Sequence, residues 1–469
     1  MKLKAIAAAC ALTFAGNAAA LAPSTTPDVT LFVSGSSALY NMIGQVATHM
    51  FEPGSIDVFF EGTASTATGK SYRVYSGRAN AAAIATYPNL ETAPGSGIGK
   101  NIVIYNRSAG GSIQGVNPVA LSQSIATINL ATCVMPTTPK IDSATGLSVW
   151  SCTGTANQVP DAGVSDVEPA VLEAAVNIGT ATPITPAQLS SLQVQGLTAV
   201  VMGIPVSSNA PVSLTNLSKA QVAGLMGGTI LDWNQIDSTI PAGTKSIVVC
   251  RRVAGSGTQA SINASIFGNP CMSSALFPST YTATTATLGS STPVAGGNVV
   301  VIENSSSQFV QSCMGYAKNG TPAGQAVNVK TGALALAGTA NTVVLGGGDY
   351  AVGVLGLDAG TTADYTFAAI NGAAATVENA ASGAYDIVVE ATFNTRGDLV
   401  GDKASVFALF AQYAGDPSIL GVAGAAGGPI AGVAALSENG WGSPVFDPAL
   451  PVIRVGNFGN TCSPLQLLQ

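Results

Sequence analysis

The chain has 469 residues and a formal charge of −7, from 17 Lys plus Arg against 24 Asp plus Glu, and only 9% of its residues are charged where an average soluble protein has about 25%. So sparse and negative a surface has nothing broad to offer a polyanion, which argues against nucleic-acid binding, although local donors can still hold a small anion. The single histidine, His49, has no partner for a zinc site or an acid–base pair, and no cluster of Asp and His suits two metals, so we expect neither an enzyme nor a metal or other cofactor.

At the amino end, Lys2 and Lys4 precede an apolar run from Ala5 to about Ala15 and small residues ending in Ala18, Ala19 and Ala20. That order predicts a secretory signal peptide over 1–20, cleaved after Ala20, and a product in the periplasm or outside the cell. Cys10 lies inside the apolar run, too early to become a lipidated first residue, so a free soluble product is expected. Its loss leaves Cys133, Cys152, Cys250, Cys271, Cys313 and Cys462. An even number of cysteines in an exported chain implies three disulfides, with 15 pairings open. Proximity along the chain favours Cys133 with Cys152 and Cys250 with Cys271, leaving Cys313 to Cys462.

Beyond the leader, no segment has 18 uninterrupted apolar residues, so no membrane span is expected. Short apolar runs predict buried strands at Val29 to Val33, Ile102 to Tyr105, Leu197 to Ile204, Ser246 to Cys250, Val299 to Ile302, Tyr350 to Leu355 and Tyr385 to Val389. Helical patterns fall at Ala38 to Met50, Ala170 to Ala175, Lys219 to Met226, Thr258 to Phe267 and Asp402 to Gln412. Alternating strands and helices define an α/β protein, and its length suits two or more domains. Segment 113–162, with Trp150, Pro136, Pro139, Pro160 and two cysteines, reads as a stapled insertion. The Ala/Gly-rich tracts 334–357 and 417–435 read as close-packed strands and turns or as association surfaces.

Three places share one design, in which an apolar strand runs into a Gly/Ser loop and then a helix. These are Ser34-Gly-Ser-Ser-Ala38, Asn106-Arg-Ser-Ala-Gly-Gly-Ser112 and Arg251-Arg-Val-Ala-Gly-Ser-Gly-Thr258. Glycines bring backbone close to a ligand, and exposed N–H groups at a helix start suit an oxyanion; a Gly/Ser turn is also an ordinary helix cap. The third loop is the most specific, because two arginines, two glycines and two hydroxyls fall within eight positions of a chain poor in basic residues. A fourth loop, Gly163-Val-Ser-Asp166, places a carboxylate just before a helix. Asp166 either caps that helix or, facing the arginines, accepts a hydrogen from an oxyanion that still carries one.

Segment 214–267, with Leu225, the Gly228-Thr-Ile230-Leu-Asp-Trp233-Asn234 turn and the loop Arg252 to Thr258, resembles the periplasmic phosphate-binding proteins of ABC importers. SGSSALY at 34–40, NRSAGGSIQG at 106–115, GVSDVEPAVL at 163–172 and YAVGVLGLD at 350–358 are similar to further loops of that family, in its order, so the likeness spans most of 28–390. The resemblance implies a two-lobed periplasmic-binding-protein type II fold with a hinge and a central cleft. Its first lobe would cover 21–197, with the insertion at 113–162, its second lobe 198–354, and the return to lobe one with a C-terminal extension 355–469. It further implies that the cleft binds phosphate or a related oxyanion for an ABC permease complex. Ser37 and Ala38 would donate from the first lobe, Ser108 and Ala109 from the second loop, with Ser112 as the alternative, and Asp166 would accept the ligand's proton. Arg252, Ser256, Gly257 and Thr258 would complete the shell.

Two departures stand out. Ala254 replaces the acid that usually follows the arginine by two residues, which leaves Arg252 either less firmly held or more electropositive. Arg107, beside the second loop, either strengthens anion binding or pairs with Asp166. The low charge, the insertion and the C-terminal extension support a rival reading, an exported surface or self-associating protein built on the same fold.

Overall fold

The computed structural model describes residues 23–467 apart from 24, 68, 70, 143, 281–286, 289–298, 422–429, 438–445, 454 and 458. The leader expected over 1–20, with Cys10, lies outside the described residues. Two sheets organise the chain. The larger runs in the spatial order Val452–Ile453, Val433–Leu436, Gln193–Gly203, Val388–Thr395, Ala162–Ser165, Val29–Gly35, Asn101–Arg107, Tyr72–Arg78, Asp57–Glu61, Val149–Cys152 and Cys133–Val134. The smaller runs Val299–Asn304, Ile247–Arg252, Tyr350–Gly353, Pro205–Ser207 and Tyr365–Phe367.

The strands that carry the Gly/Ser loops are apolar along almost their whole length, as strands covered on both faces must be, and they pair in parallel. Val29–Gly35 lies between Asn101–Arg107 and Ala162–Ser165, with Ser34 opposite both Arg107 and Gly163. In the smaller sheet Ile247–Arg252 lies beside Val299–Asn304, with Arg252 opposite Asn304. Parallel pairing brings the carboxyl ends of the strands to one side within each sheet, and contacts from Arg252 to Ser37, Thr258 to Asp166 and Ile113 N–H to Gly255 O set the two groups of loops against one crevice. The chain passes from the larger sheet to the smaller at Ile204 and returns at Val354, each a single buried residue between strands of different sheets, and visits the smaller sheet once more at Tyr365–Phe367 before Val388–Thr395.

Helices cover the sheets where apolar periodicity predicts them, at Tyr40–His49, Lys219–Gly227, Gly257–Ser265 and Gly401–Gly415. The pattern at 170–175 resolves instead into two short helices, Pro169–Leu172 and Ala175–Ile178, because Ala174 adopts an extended conformation between them. The strand expected at Tyr385 to Val389 begins later, at Val388, where it pairs with Gln193–Gly203; Tyr385 itself is buried and donates its hydroxyl to Met202 O at 2.7 Å. The region after 400 is built into the fold: Gly401–Gly415 packs Phe407 and Phe410 against Phe393, at 5.1 and 5.4 Å between ring centroids, and the strands at 433–436 and 452–453 extend the larger sheet.

Segment 113–162 contributes to the edge of that sheet. Val149–Cys152 pairs with Asp57–Glu61, Trp150 stacks on Phe59 at 5.9 Å, and its indole N–H donates to Asp57 at 2.8 Å. Tract 334–357 forms the strands Leu334–Leu336, Thr342–Leu345, Tyr350–Gly353 and Leu355–Gly356 with turns between them. Of tract 417–435, residues 422–429 lie outside the described residues. Among the described residues no helix is long and apolar enough to cross a membrane.

Cys133 is bonded to Cys152, as proximity suggests. The other two pairs correct the expectation: Cys250 joins Cys313 and Cys271 joins Cys462. The reason is topological. Cys250 lies within a buried strand, and the helix Ser307–Asn319 that covers this strand presents Cys313 to it, both residues fully buried. Cys271 lies past the end of Gly257–Ser265, where the carboxyl-terminal segment meets it.

Candidate functional site

Arg252 is the last residue of its strand and is completely buried. Its backbone N–H donates to Gln259 Oε1 at 3.2 Å, while its guanidinium donates to Asn304 O at 3.0 Å, Ser305 O at 3.2 Å, Ser37 Oγ at 3.0 Å and Ser307 Oγ at 3.1 Å. These acceptors are all neutral. Burial therefore pulls the Arg252 pKa down to about 10, opposed only by the charge of Asp166. Ala254, in place of an acid, packs instead against Gly179, where an added Cβ would stand 3.1 Å from the Ala254 methyl. Arg252 is thus firmly held by carbonyls while no adjacent carboxylate cancels its charge.

Arg251 points elsewhere, since successive side chains of a strand face opposite ways. It donates to Ser279 O at 2.7 Å and pairs with Glu303.

Asp166 faces Arg252 from the larger sheet. It does not cap the helix after it, whose N-cap is Glu168. Its carboxylate accepts the hydroxyls of Ser36 and, at 3.0 Å, Thr258, and its N–H donates to Ser112 Oγ at 3.3 Å. Burial raises its pKa, with the Ser36 and Thr258 hydrogen bonds and the Arg252 charge acting the other way. Gly257 makes the approach of the two sheets possible, because a Cβ there would overlap Ser112 Oγ and stand 2.8 Å from Asp166 Cβ. Ile113 N–H reaches Gly255 O at 3.0 Å across the same seam.

Three helix starts meet here. Ser256 caps Gly257–Ser265 by accepting from Gln259 N–H, Ser306 caps Ser307–Asn319 by accepting from Phe309 N–H, and Tyr40–His49 begins just after Ala38. Each N-terminus presents partial positive charge to the crevice.

The structure thus brings together Ser37, Ala38, Asp166, Arg252, Ser256, Gly257 and Thr258. The N–H groups of Ser108 and Ala109 both donate to Ser71 O, at 2.9 and 3.2 Å, as that of Ala38 donates to Ser36 Oγ at 3.0 Å. Gly110 and Gly111 then turn the chain with φ of +90° and +77°, which delivers Ser112 to Asp166. Arg107 is also committed elsewhere and does not pair with Asp166. It donates to Ala126 O at 2.8 Å and lies over the Tyr72 ring, and burial lowers its pKa against the pull of Tyr72 and Glu61.

Sequence reasoning missed Ser36, Ser307 and Asp358. The run Asn304-Ser-Ser-Ser307 between a strand and a helix repeats the design of the other loops and could have flagged Ser307. Asp358 has no such local signal. It stands where the chain returns to the larger sheet, beside Gly356 and Ala38, and its pKa is pushed up to about 8, first by burial and then by the charge of Asp166.

The fold and site define an α/β protein with a polar crevice between two sheets, walled by hydroxyls and helix starts around one arginine and one carboxylate. No protein-family model and no curated protein matches the sequence. Among solved structures, the chain is similar to a putative phosphate ABC transporter substrate-binding protein from Clostridium perfringens, at 11% identity over 81% of this chain and 92% of that one, with a TM-score of 0.38. It is likewise similar to an ABC-type phosphate transport receptor from Vibrio cholerae, at 13% identity, 81% and 93% coverage and a TM-score of 0.36. A phosphate-binding protein from Stenotrophomonas maltophilia gives 12% identity, 82% and 83% coverage and a TM-score of 0.37. These likenesses are distant, and the function of the crevice is inferred from the residues of this chain itself.

Proposed function

We propose that the crevice binds inorganic phosphate or a similar tetrahedral oxyanion that still carries a proton, and that the protein is the solute-binding component of an ABC importer, working in the periplasm or outside the cell. The observation that carries this reading is the opposition of Arg252 and Asp166, both buried, across a shell of hydroxyls from Ser36, Ser37, Thr258 and Ser307. A tetrahedral anion replaces the contacts of Ser37 and Ser307 on the guanidinium with charge-assisted ones. Its remaining proton is donated to Asp166, an acceptor-only group when ionised. Sulfate has no proton to give and meets carboxylate repulsion instead. In this reading two lobes, one on each sheet, hinge about the crossings at Ile204 and Val354.

The test is calorimetry of the purified mature protein with phosphate, and with sulfate as competitor. Saturable binding of phosphate with weak competition from sulfate is expected. Folded protein that takes up no heat at millimolar phosphate overturns the reading.

A further inference from the structure

The carboxyl-terminal segment joins the two halves of the molecule at a second place, away from the crevice. After Val452–Ile453 at the edge of the larger sheet, the chain is fastened to that sheet by one buried carboxylate. Glu390, buried in the strand Val388–Thr395, accepts the N–H groups of Asn457 and, at 2.6 Å, Gly459. Cys462 is bonded to Cys271, which lies beyond the helix Gly257–Ser265 that begins at the crevice. The loop around Cys271 belongs with the smaller sheet's helices, since Leu276 N–H donates to Phe267 O and Ser279 N–H to Met226 O, each at 2.9 Å. Under the segment lies a cavity of about 580 Å³ lined from both sides, by Lys219 and Ser261 on one, Val388 and Val389 on the other, and roofed by Thr461 and Leu465.

We propose that residues 459–462, through the bond of Cys462 to Cys271, form a covalent strap that limits how far the two sheets separate and so slows ligand exchange at the Arg252–Asp166 crevice. This rests on the proposed function, in which the sheets part to admit the anion. The geometry sets the slack. Cys271 and Cys462 have their Cα atoms 5.0 Å apart, and three further chain steps of about 3.8 Å each reach the Gly459 anchor, so while Glu390 holds, the rim can widen only by the slack in that short stretch. If the Glu390 anchor lets go, the nine chain steps from Ile453 to Cys462 extend to about 30 Å, and the disulfide then sets the limit. Without the disulfide, only hydrogen bonds resist opening at this rim.

This bond is also the accessible one. Cys462 is exposed and Cys271 half-buried, whereas Cys133, Cys152, Cys250 and Cys313 are all buried. Mild dithiothreitol, oxidised to its cyclic disulfide while Cys271 and Cys462 each gain a hydrogen, therefore opens it first.

The test uses the full mature protein in two forms, the Cys271→Ser/Cys462→Ser variant and wild type mildly reduced and alkylated, with intact mass confirming the other two disulfides. Amide hydrogen exchange in 169–178 and 257–265, measured without ligand, is expected to quicken by about tenfold or more in both forms, and phosphate dissociation in stopped flow by a similar factor. Exchange and dissociation indistinguishable from oxidised wild type overturn the strap. If the double variant fails to fold, the reduced and alkylated protein decides. Faster exchange with no phosphate binding in any form supports the strap and overturns the proposed function instead.

Discussion

Two buried arginines of this protein face the same problem and solve it differently. Arg73 is enclosed by Tyr40 and Phe60, whose ring centroids lie 4.3 and 4.9 Å from its guanidinium, and it donates to Gly69 O at 2.7 Å and to Asn41 and the Tyr75 hydroxyl at 3.2 Å, with Asp142 at 3.9 Å. Burial pulls its pKa down, but Tyr75, Asp142 and Tyr40 more than offset this and leave it above the ordinary value. Arg252 has no ring over it and is hydrogen-bonded only to hydroxyls and carbonyls; the charge of Asp166 offsets burial only in part, and its pKa falls to about 10. A buried cation whose charge the chain already compensates holds the fold together. In the proposed function, one whose charge is left for something else to compensate receives the anion.

Substitutions can break that contrast. Arg73→Met strands Asp142 and Tyr75 in the core and is expected to cost about 3 kcal/mol of stability, read by denaturant unfolding, with phosphate affinity spared in the folded fraction. Arg252→Ala is expected to do the reverse, weakening phosphate by about 100-fold or more while moving the unfolding midpoint little. Equal effects of the two on stability would erase the distinction. Asp166→Asn gives the carboxylate's place to a group that can donate, so the preference for phosphate over sulfate is expected to fall by about tenfold, measured by competition calorimetry.

The smallest effect concerns Asp358. Its folded pKa, about 8, lies above the ordinary 3.8, so the native state holds more protons than the unfolded one between those values. Its contribution to stability is complete below the lower value and is lost as pH rises through the upper. Asp358→Asn is expected to flatten the decline of Tm between about pH 4 and pH 8; an unchanged slope would remove Asp358 from the charge balance of the crevice.

Much of the crevice was legible because its parts are local. An apolar run, a Gly/Ser loop and a helix start are written in consecutive residues; parallel pairing then aligns the loops within each sheet, and hydrogen bonds between the sheets join Ser37 to Arg252 and Asp166 to Thr258. What escaped depends on contacts between distant segments. Ser112 rather than Ser108 reaches Asp166 because two glycines redirect the loop, and either serine fits the same local pattern. Cys250 chose Cys313 over the nearer Cys271 because a covering helix stands closer in space than the next loop does in sequence. Asp358 acquires its role only where the chain returns to the larger sheet, far along the chain from the acid that perturbs it. The region after 400 looked appended because nothing local says that Val433–Leu436 pairs with Gln193–Gly203.

The most direct test of an Arg252–Asp166 phosphate site is a crystal structure of the mature protein with phosphate bound. One phosphate oxygen is expected within about 2.9 Å of the Arg252 guanidinium and another, the protonated one, within about 2.7 Å of an Asp166 carboxylate oxygen. Phosphate bound elsewhere, or a crevice that stays closed on its own hydroxyls at saturating phosphate, would contradict it.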